Sequence, residues 1–246
     1  MKLTRRRALI SAVGVVAIAT SLAACGSSGG SSPSGPSTPT IASSVDAALA
    51  AKVPAAIKSK GTILIGTDST YAPSEFLATD GKTVIGFDVD LFNAVAAKLG
   101  LKTQWQSAPF DAIIPGVTSG KYDIGVSSFT INADRMKQVT MVSYFSAGTQ
   151  WAQKAGGSVD PNNACGKKVA VQKGTVQVDD ITARSSACTK AGKPAITIDQ
   201  FQAQSDATAA VVSGKDDAML ADSPVSAYAV KQTNGQLALA GDIYES

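Results

Sequence analysis

One turn sequence occurs at two places, and it narrows the folds open to this chain. Ser119-Gly120-Lys121-Tyr122-Asp123 leads into a short run ending at Ser128, and Ser213-Gly214-Lys215-Asp216-Asp217 leads into one ending at Asp222. Each copy reads as a helix stopped by glycine, a turn, and a strand with a polar carboxyl end. The elements before each copy agree. In the first half, Ser44 is positioned to cap a helix from Val45, Pro54 starts another turn and Gly61 stops it. A strand follows over 62–67 (TILIGT) and a helix over 88–99, its apolar residues 91, 92, 95 and 99 on one face, ended by Gly100. Then come a strand over 102–106, a helix capped by Asp111 with Pro115 at its fourth position, and a strand over 123–128. In the second half, strands are expected at 168–172, 195–198 and 217–221, with helices opening at Gly174-Thr175 and spanning 205–213. Alternating βαβ order implies mostly parallel sheets flanked by helices. Ligands of such sheets bind at the carboxyl ends of strands. Two lobes facing each other there would place Ser128 and Asp222 across one cleft. A common turn recurring by chance is the bland alternative.

The N-terminus reads as an export signal. Lys2 and Arg5 to Arg7 precede an uncharged stretch from Ala8 to Ala24. That stretch is Ala-rich and broken by Ser11, Gly14, Thr20 and Ser21, which argues against a membrane span. Thr4 to Ile10 loosely resembles a twin-arginine signal, so the export route stays open. Residues 26–40 contain only Gly, Ser, Pro and Thr. Such a segment cannot build a core and is expected to be a flexible tether spanning roughly 20 Å.

Charge and histidine content exclude several functions. Of the 22 basic groups, four lie in residues 1–24, leaving 18 against 19 acidic groups, a net −1. No basic surface remains for nucleic acid. The chain has no histidine, which removes Ser-His-Asp and Cys-His catalysis, His-ligated zinc and a histidine pH switch. No metal, cofactor or catalytic set is implied. The exported body keeps Cys165 and Cys188, 23 residues apart, read as a disulfide, with two buried free thiols as the alternative.

Several segments carry a resemblance. Ile65-Gly66-Thr67-Asp68-Ser69-Thr70-Tyr71-Ala72-Pro73 is followed by Gly86-Phe87-Asp88-Val89-Asp90-Leu91 and by Phe110-Asp111-Ala112-Ile113-Ile114-Pro115. Ser127-Ser128-Phe129-Thr130, Arg135 and Val169 to Thr175 (VAVQKGT) come next. In this order they resemble the polar-amino-acid-binding proteins of bacterial ABC importers, family 3 solute-binding proteins. Leu22-Ala23-Ala24-Cys25 likewise resembles a bacterial lipobox, implying cleavage before Cys25 and lipidation of its sulfur. The resemblance implies an α/β, two-lobed periplasmic-binding-protein type II clamp. The expected division is a signal peptide (1–24), a lipid-anchored linker (25–44), lobe 1 (45–146), lobe 2 (147–241) and the start of a second crossover (242–246). The first crossover is expected near Ser146 to Gln150. Relatives return to lobe 1 at this point, so lobe 1 is expected to be incomplete at the C-terminus and to expose apolar surface.

The resemblance also implies a ligand site. Arg135 would take an α-carboxylate with its planar fork, assisted by the backbone N–H groups of Thr130 and Val176. Read alone, Arg135 is a surface charge beside Asp134 and Lys137. Asp222 would take the α-ammonium with the Ser128 carbonyl and the Thr130 hydroxyl. The alternative is that Asp222 caps the next helix; Ser223-Pro224 makes Ser223 the better cap. Tyr71 and Phe110 would sandwich the ligand side chain, although aromatics are more often core. Asp68 would stand at the side-chain end, with Gln172 and Gln177 opposite, and favour a cationic or amide ligand over an acidic one. Ser74 stands where many relatives carry an aromatic.

The expected function is capture of a free amino acid and delivery to an ABC transporter permease, by a monomer lipid-anchored outside the cytoplasmic membrane. The alternatives are a ligand-sensing lipoprotein, or a dehydratase-type enzyme on the same fold. The latter needs an acid in the cleft, and Glu75 is the glutamate nearest to it.

Overall fold

The computed structural model of this chain describes residues 44–245. The expected signal peptide, lipidated Cys25 and all but the last residue of the linker lie outside the described residues. The first lobe runs through α1 (Ala47–Ala51), α2 (Ala55–Lys60), β1 (Thr62–Thr67), β2 (Thr70–Tyr71), β3 (Glu75–Leu77), β4 (Val84–Ile85), α3 (Phe87–Lys98), β5 (Lys102–Ser107), α4 (Phe110–Thr118), β6 (Ile124–Gly125) and α5 (Ala133–Met136). The second comprises β7 (Thr149–Lys154), β8 (Lys168–Gln172), α6 (Val176–Lys190), β9 (Thr197–Phe201), α7 (Gln204–Ser213), β10 (Ala218–Asp222), α8 (Ser223–Gln232) and β11 (Leu237–Tyr244).

Lobe 1 has a parallel sheet ordered β5-β1-β6 and a small antiparallel meander, β2-β3-β4. Lobe 2 has one sheet ordered β11-β7-β10-β8-β9, in which β10, β8 and β9 are parallel. Strand β7 runs antiparallel to both β10 and β11. Central strands of such a sheet are covered on both faces and read as continuous apolar runs. Val169, Ala170 and Val171 of β8 and Ala218 to Ala221 of β10 are all buried. Successive side chains take opposite faces. Trp151, Val169, Val171 and Leu220 pack with Ile181 of α6. Ala152, Ala170 and Met219 pack the other way, with Val211 of α7 and Ala229 of α8. Each large apolar side chain fully buried here contributes roughly 1.5–3 kcal/mol.

The echoed turns fold alike: Gly120 (φ 76°) and Gly214 (φ 79°) are both left-handed. Other expectations need correction. Asp46, not Ser44, caps α1, accepting from Ala48 N at 2.9 Å and Leu49 N at 3.0 Å. Helix α4 starts after Pro109, so Asp111 is inside the first turn and Pro115 is the sixth residue. Asp111 pairs with Lys173 of the other lobe at 2.9 Å instead of capping. The β6 ladder is only two residues long, and three residues beyond it the chain turns left-handed at Ser128 (φ 49°). Strand β9 begins at Thr197, two residues later than expected. In α3 the inward face carries Asp88, Val89 and Ala96, while Leu91 and Val95 are each 42% exposed. The helix packs its other side against the sheet and meander. Leu91, Phe92 and Val95 instead border an apolar groove of about 690 Å³ beside β6, together with Val117, Ile124 and Met141. At the other end of the chain, Tyr244 still pairs with Thr149 within the lobe 2 sheet.

Cys165 and Cys188 form a disulfide with Cα atoms 5.6 Å apart. It ties the end of α6 to the loop before β8. Closing a loop of 23 residues contributes about 3 kcal/mol in the chain-entropy account. Reduction is expected to lower the melting temperature by roughly 6–12 °C, read by thermal denaturation with and without reductant. A shift below about 2 °C would mean that the bridge adds nothing.

Candidate functional site

The lobes meet where the strands end. Lobe 1 contributes Tyr71 from β2, Phe110 from the first turn of α4, Ser128 and Thr130 from the loop after β6, and Arg135 from α5. Lobe 2 contributes Thr175, Val176 and Gln177 at the start of α6, and Asp222 at the end of β10. Together they enclose a cavity of about 10 Å³, the space of a single water. Ser128 and Asp222, the two ends of the echoed strands, line it together.

Arg135 is 9% exposed, although Asp134 and Lys137 beside it pair with each other on the surface at 2.7 Å. Asn132 caps the short helix through Arg135 N, at 2.9 Å, and this turns the guanidinium inward. Its two Nη atoms donate to Thr130 O at 2.7 Å and, across the seam, to Gly174 O at 3.0 Å. The guanidinium carbon lies 5.4 Å from the Phe110 ring centre and 5.3 Å from that of Phe129. These rings stack at 4.4 Å. Burial pulls the Arg135 pKa down and nearby Asp222 pushes it back up. The group stays a cation, since guanidinium is not deprotonated in proteins.

Asp222 occupies the N-cap position of α8 but makes no side-chain cap bond. Ser223, expected as the cap, is already the first helical residue. The Asp222 carboxylate instead accepts from Gln177 Nε2 at 2.9 Å, and its backbone N donates to the Tyr71 hydroxyl at 3.0 Å. Burial pushes its pKa up from 3.8 to about 6, against the lowering effects of Gln177, Tyr71 and Arg135. Arg135 and Asp222 do not form an ion pair; each faces the cavity from its own lobe.

Asp68 and Gln172 lie beneath the cavity rather than in its wall. Asp68 accepts from Thr70 N (3.0 Å), Thr70 Oγ1 (2.5 Å), Phe110 N (3.0 Å) and, across the seam, Gln172 Nε2 (2.9 Å). Burial raises its pKa, and these four bonds work against that. Gln177, expected opposite Asp68, stands beside Asp222 and also donates to Thr149 Oγ1 at 2.9 Å. Glu75 is 0% exposed and lines neither this cavity nor the larger one next to it. Sequence reading missed Phe129 and Thr175. Both adjoin expected site residues and lie inside the segments that carry the resemblance. Among the described residues, no group of three or more Cys, Asp or Glu side chains is arranged to hold a metal ion.

Two α/β lobes closed on a cavity, with a buried cation from one and a half-buried carboxylate from the other, define a solute-binding clamp. Residues 63–238 match the sequence profile of bacterial extracellular solute-binding proteins, family 3, and the chain belongs to this family. It is 37% identical over 242 residues to an arginine-binding protein of Corynebacterium glutamicum, covering 97% of this chain and 79% of the relative. Among solved structures, it is similar to an ancestral arginine-binding protein bound to arginine, with a TM-score of 0.69 and 33% identity over 76% of this chain and 81% of that one. It is also similar to the ancestral amino acid-binding protein AncCDT-1, a precursor of cyclohexadienyl dehydratase, with a TM-score of 0.65 and 34% identity over 77% and 80% of the two chains.

Proposed function

We propose that this solute-binding protein captures an amino acid with a basic side chain, L-arginine foremost, and presents it to an ABC transporter permease. One observation carries this reading: buried Arg135 and half-buried Asp222, of opposite charge, come from different lobes to one cavity. A zwitterion offers each its complement, the α-carboxylate to the guanidinium fork and the α-ammonium to the carboxylate. The Thr130 and Val176 N–H groups and the Ser128 carbonyl are the supporting donors and acceptor. Tyr71 and Phe110 flank the ligand side chain, whose cationic end takes the place of the Gln172 amide on Asp68. A cavity of about 10 Å³ admits such a ligand only after the lobes part. The protein works outside the cytoplasm as a monomer held by lipid on Cys25. Glu75, the acid a dehydratase reading would use, is buried and lines neither cavity, which supports capture over catalysis.

A thermal-shift screen of the twenty amino acids tests this. L-Arginine, L-lysine or L-histidine is expected to stabilise the protein, while L-aspartate and L-glutamate are not. Stabilisation by acidic ligands alone would refute the assigned role of Asp68.

A pH dependence follows from Asp222. With its pKa near 6, the carboxyl is mostly protonated at pH 5 and ionised at pH 7. Ammonium binding requires the ionised form, so calorimetry is expected to show L-arginine affinity rising about tenfold over that interval, then levelling. Arginine itself does not titrate there, and the chain has no histidine to contribute. In the ligand-free protein the sign is reversed. A raised carboxyl pKa stabilises the fold fully below about pH 4, and that contribution is lost as pH rises through about 6.

A further inference from the structure

Behind the cavity, lobe 1 holds two carboxyl groups that ligand binding does not use. Glu75, the first residue of β3, is 0% exposed, and Asp88, in the first turn of α3, is 1% exposed. Asp88 N donates to Ser74 O at 3.0 Å, which brings α3 against the start of β3, and the two carboxyl groups interact directly. Neither belongs to any described ion pair. Each carboxyl has one oxygen with donors and one without. Glu75 Oε1 accepts from Ser127 Oγ at 3.1 Å, and that hydroxyl accepts from Asp68 N at 2.9 Å. Asp88 Oδ2 accepts from Ser128 N (3.2 Å), Ser128 Oγ (3.1 Å) and the Tyr144 hydroxyl (2.5 Å). Glu75 Oε2 and Asp88 Oδ1 are fully enclosed and accept from nothing. Two bare acceptors on touching carboxyl groups repel, and no cation stands by to separate them. One proton shared between them satisfies both at once.

We propose that Glu75 and Asp88 hold a single proton between Glu75 Oε2 and Asp88 Oδ1, and that this acid–carboxylate pair positions Ser128 and Tyr144 around the cleft. The proton sits on Glu75. Three donors on Asp88 Oδ2 favour its anion, whereas Glu75 has one hydroxyl donor and complete burial. Burial first, then the Asp88 charge and to a smaller degree that of Asp68, push the Glu75 pKa well up. The other titratable groups around the pair are Tyr71, Tyr144 and Asp222, whose pKa values are all raised, in part by Glu75 or Asp88. The surroundings therefore contain no group that would draw the proton away.

The pair has consequences for the site. Asp88 holds both polar groups of Ser128 that could turn into the cleft, and so fixes a left-handed residue whose carbonyl the ligand ammonium needs. Through Tyr144 it also grips the segment of residues 140–148, outside helix and strand, that leads into β7 of the second lobe. Without the acid proton, Asp88 would lose a partner and turn away from Ser128 to find another. The pair therefore acts on binding through Ser128 and Tyr144, not by contact with ligand.

Infrared spectroscopy of the ligand-free protein near pH 8 tests the proton directly. The C=O stretch of a protonated carboxylic acid is expected in the wild type and is expected to disappear in Glu75→Gln. Absence of this band, or its survival in Glu75→Gln, overturns the proposal. The role in positioning is read from L-arginine affinity, and this arm rests on the function proposed above. Glu75→Gln keeps a donor towards Asp88 and is expected to bind within about threefold of wild type. Glu75→Leu removes the donor and is expected to bind about tenfold or more weakly. Equal affinity of the Leu variant and wild type overturns the positioning role. If the wild type binds no basic amino acid, the ligand reading fails alone, and the infrared band still decides the shared proton.

Discussion

Replacing Arg135 by alanine is expected to weaken L-arginine binding by roughly thirtyfold to several-thousandfold. The closed clamp takes the guanidinium and the ligand carboxylate out of water together. Removing one leaves the other buried and unpaired, at a cost of about 2–5 kcal/mol. Arg135→Lys should also fail substantially. An ammonium cannot donate in the parallel geometry of the fork, and it loses the planar group that stands 5.4 and 5.3 Å from the stacked rings of Phe110 and Phe129. Asp222→Asn should lose affinity to a similar degree and should also abolish the rise in affinity between pH 5 and 7. Calorimetry measures all three variants, and thermal denaturation without ligand shows whether each is folded. Near-wild-type affinity in Arg135→Ala or Asp222→Asn would mean that these residues only hold the lobes together.

Gly86→Ala is expected to destabilise the fold by about 3 kcal/mol or more. Gly86 precedes α3 with φ 133°, a conformation that disfavours any side chain. A Cβ here would lie 2.1 Å from Ser74 O and 2.8 Å from Pro73 O. Those same carbonyls accept from Asp88 N at 3.0 Å and Phe87 N at 3.1 Å, so they cannot retreat without undoing the first turn of α3. Backbone strain and overpacking add to one another here. A melting temperature lower by roughly 6–12 °C is the measurement to look for. Since Asp88 sits in that turn, ligand affinity should fall as well. A variant melting within about 1 °C of wild type would show that the meander and α3 do not approach this closely.

The site was legible mainly through resemblance. Taken by itself, Arg135 reads as one of three charges on a polar surface turn, and local sequence offers nothing against this. What turns it inward is the Asn132 cap on a helix of four residues, whose outer face Asp134 and Lys137 then occupy. Asp222 was freed from capping by a correct premise and a wrong detail. Its carboxylate does not cap, because Gln177 of another element takes it, and Ser223 does not cap either, because it is already the first helical residue. Asp68 and Gln172 were assigned to the cavity wall and are found bonded to each other beneath it. They stand 104 positions apart, and their hydrogen bond depends on how the two lobes close, which no local pattern encodes.

Local chemistry did determine much of the framework. The compact apolar runs of β1 and β8, the glycine stops after the helices and the repeated turn at 119 and 213 each act over a few residues. Their outcome is set by backbone sterics and by side-chain period. The same holds for the exclusions, since a chain without histidine cannot acquire one by folding. Tertiary structure alone decided which face of α3 turns inward. Leu91 and Val95 form as good an apolar stripe as Val89 and Ala96, and only the position of the sheet selects between them. It also decided the company of Glu75 and Asp88. Two acidic residues 13 positions apart look like ordinary solvated charges until burial removes the water from both. Burial, approach and charge coupling depend on distances between elements, and those distances exist only once the chain has folded.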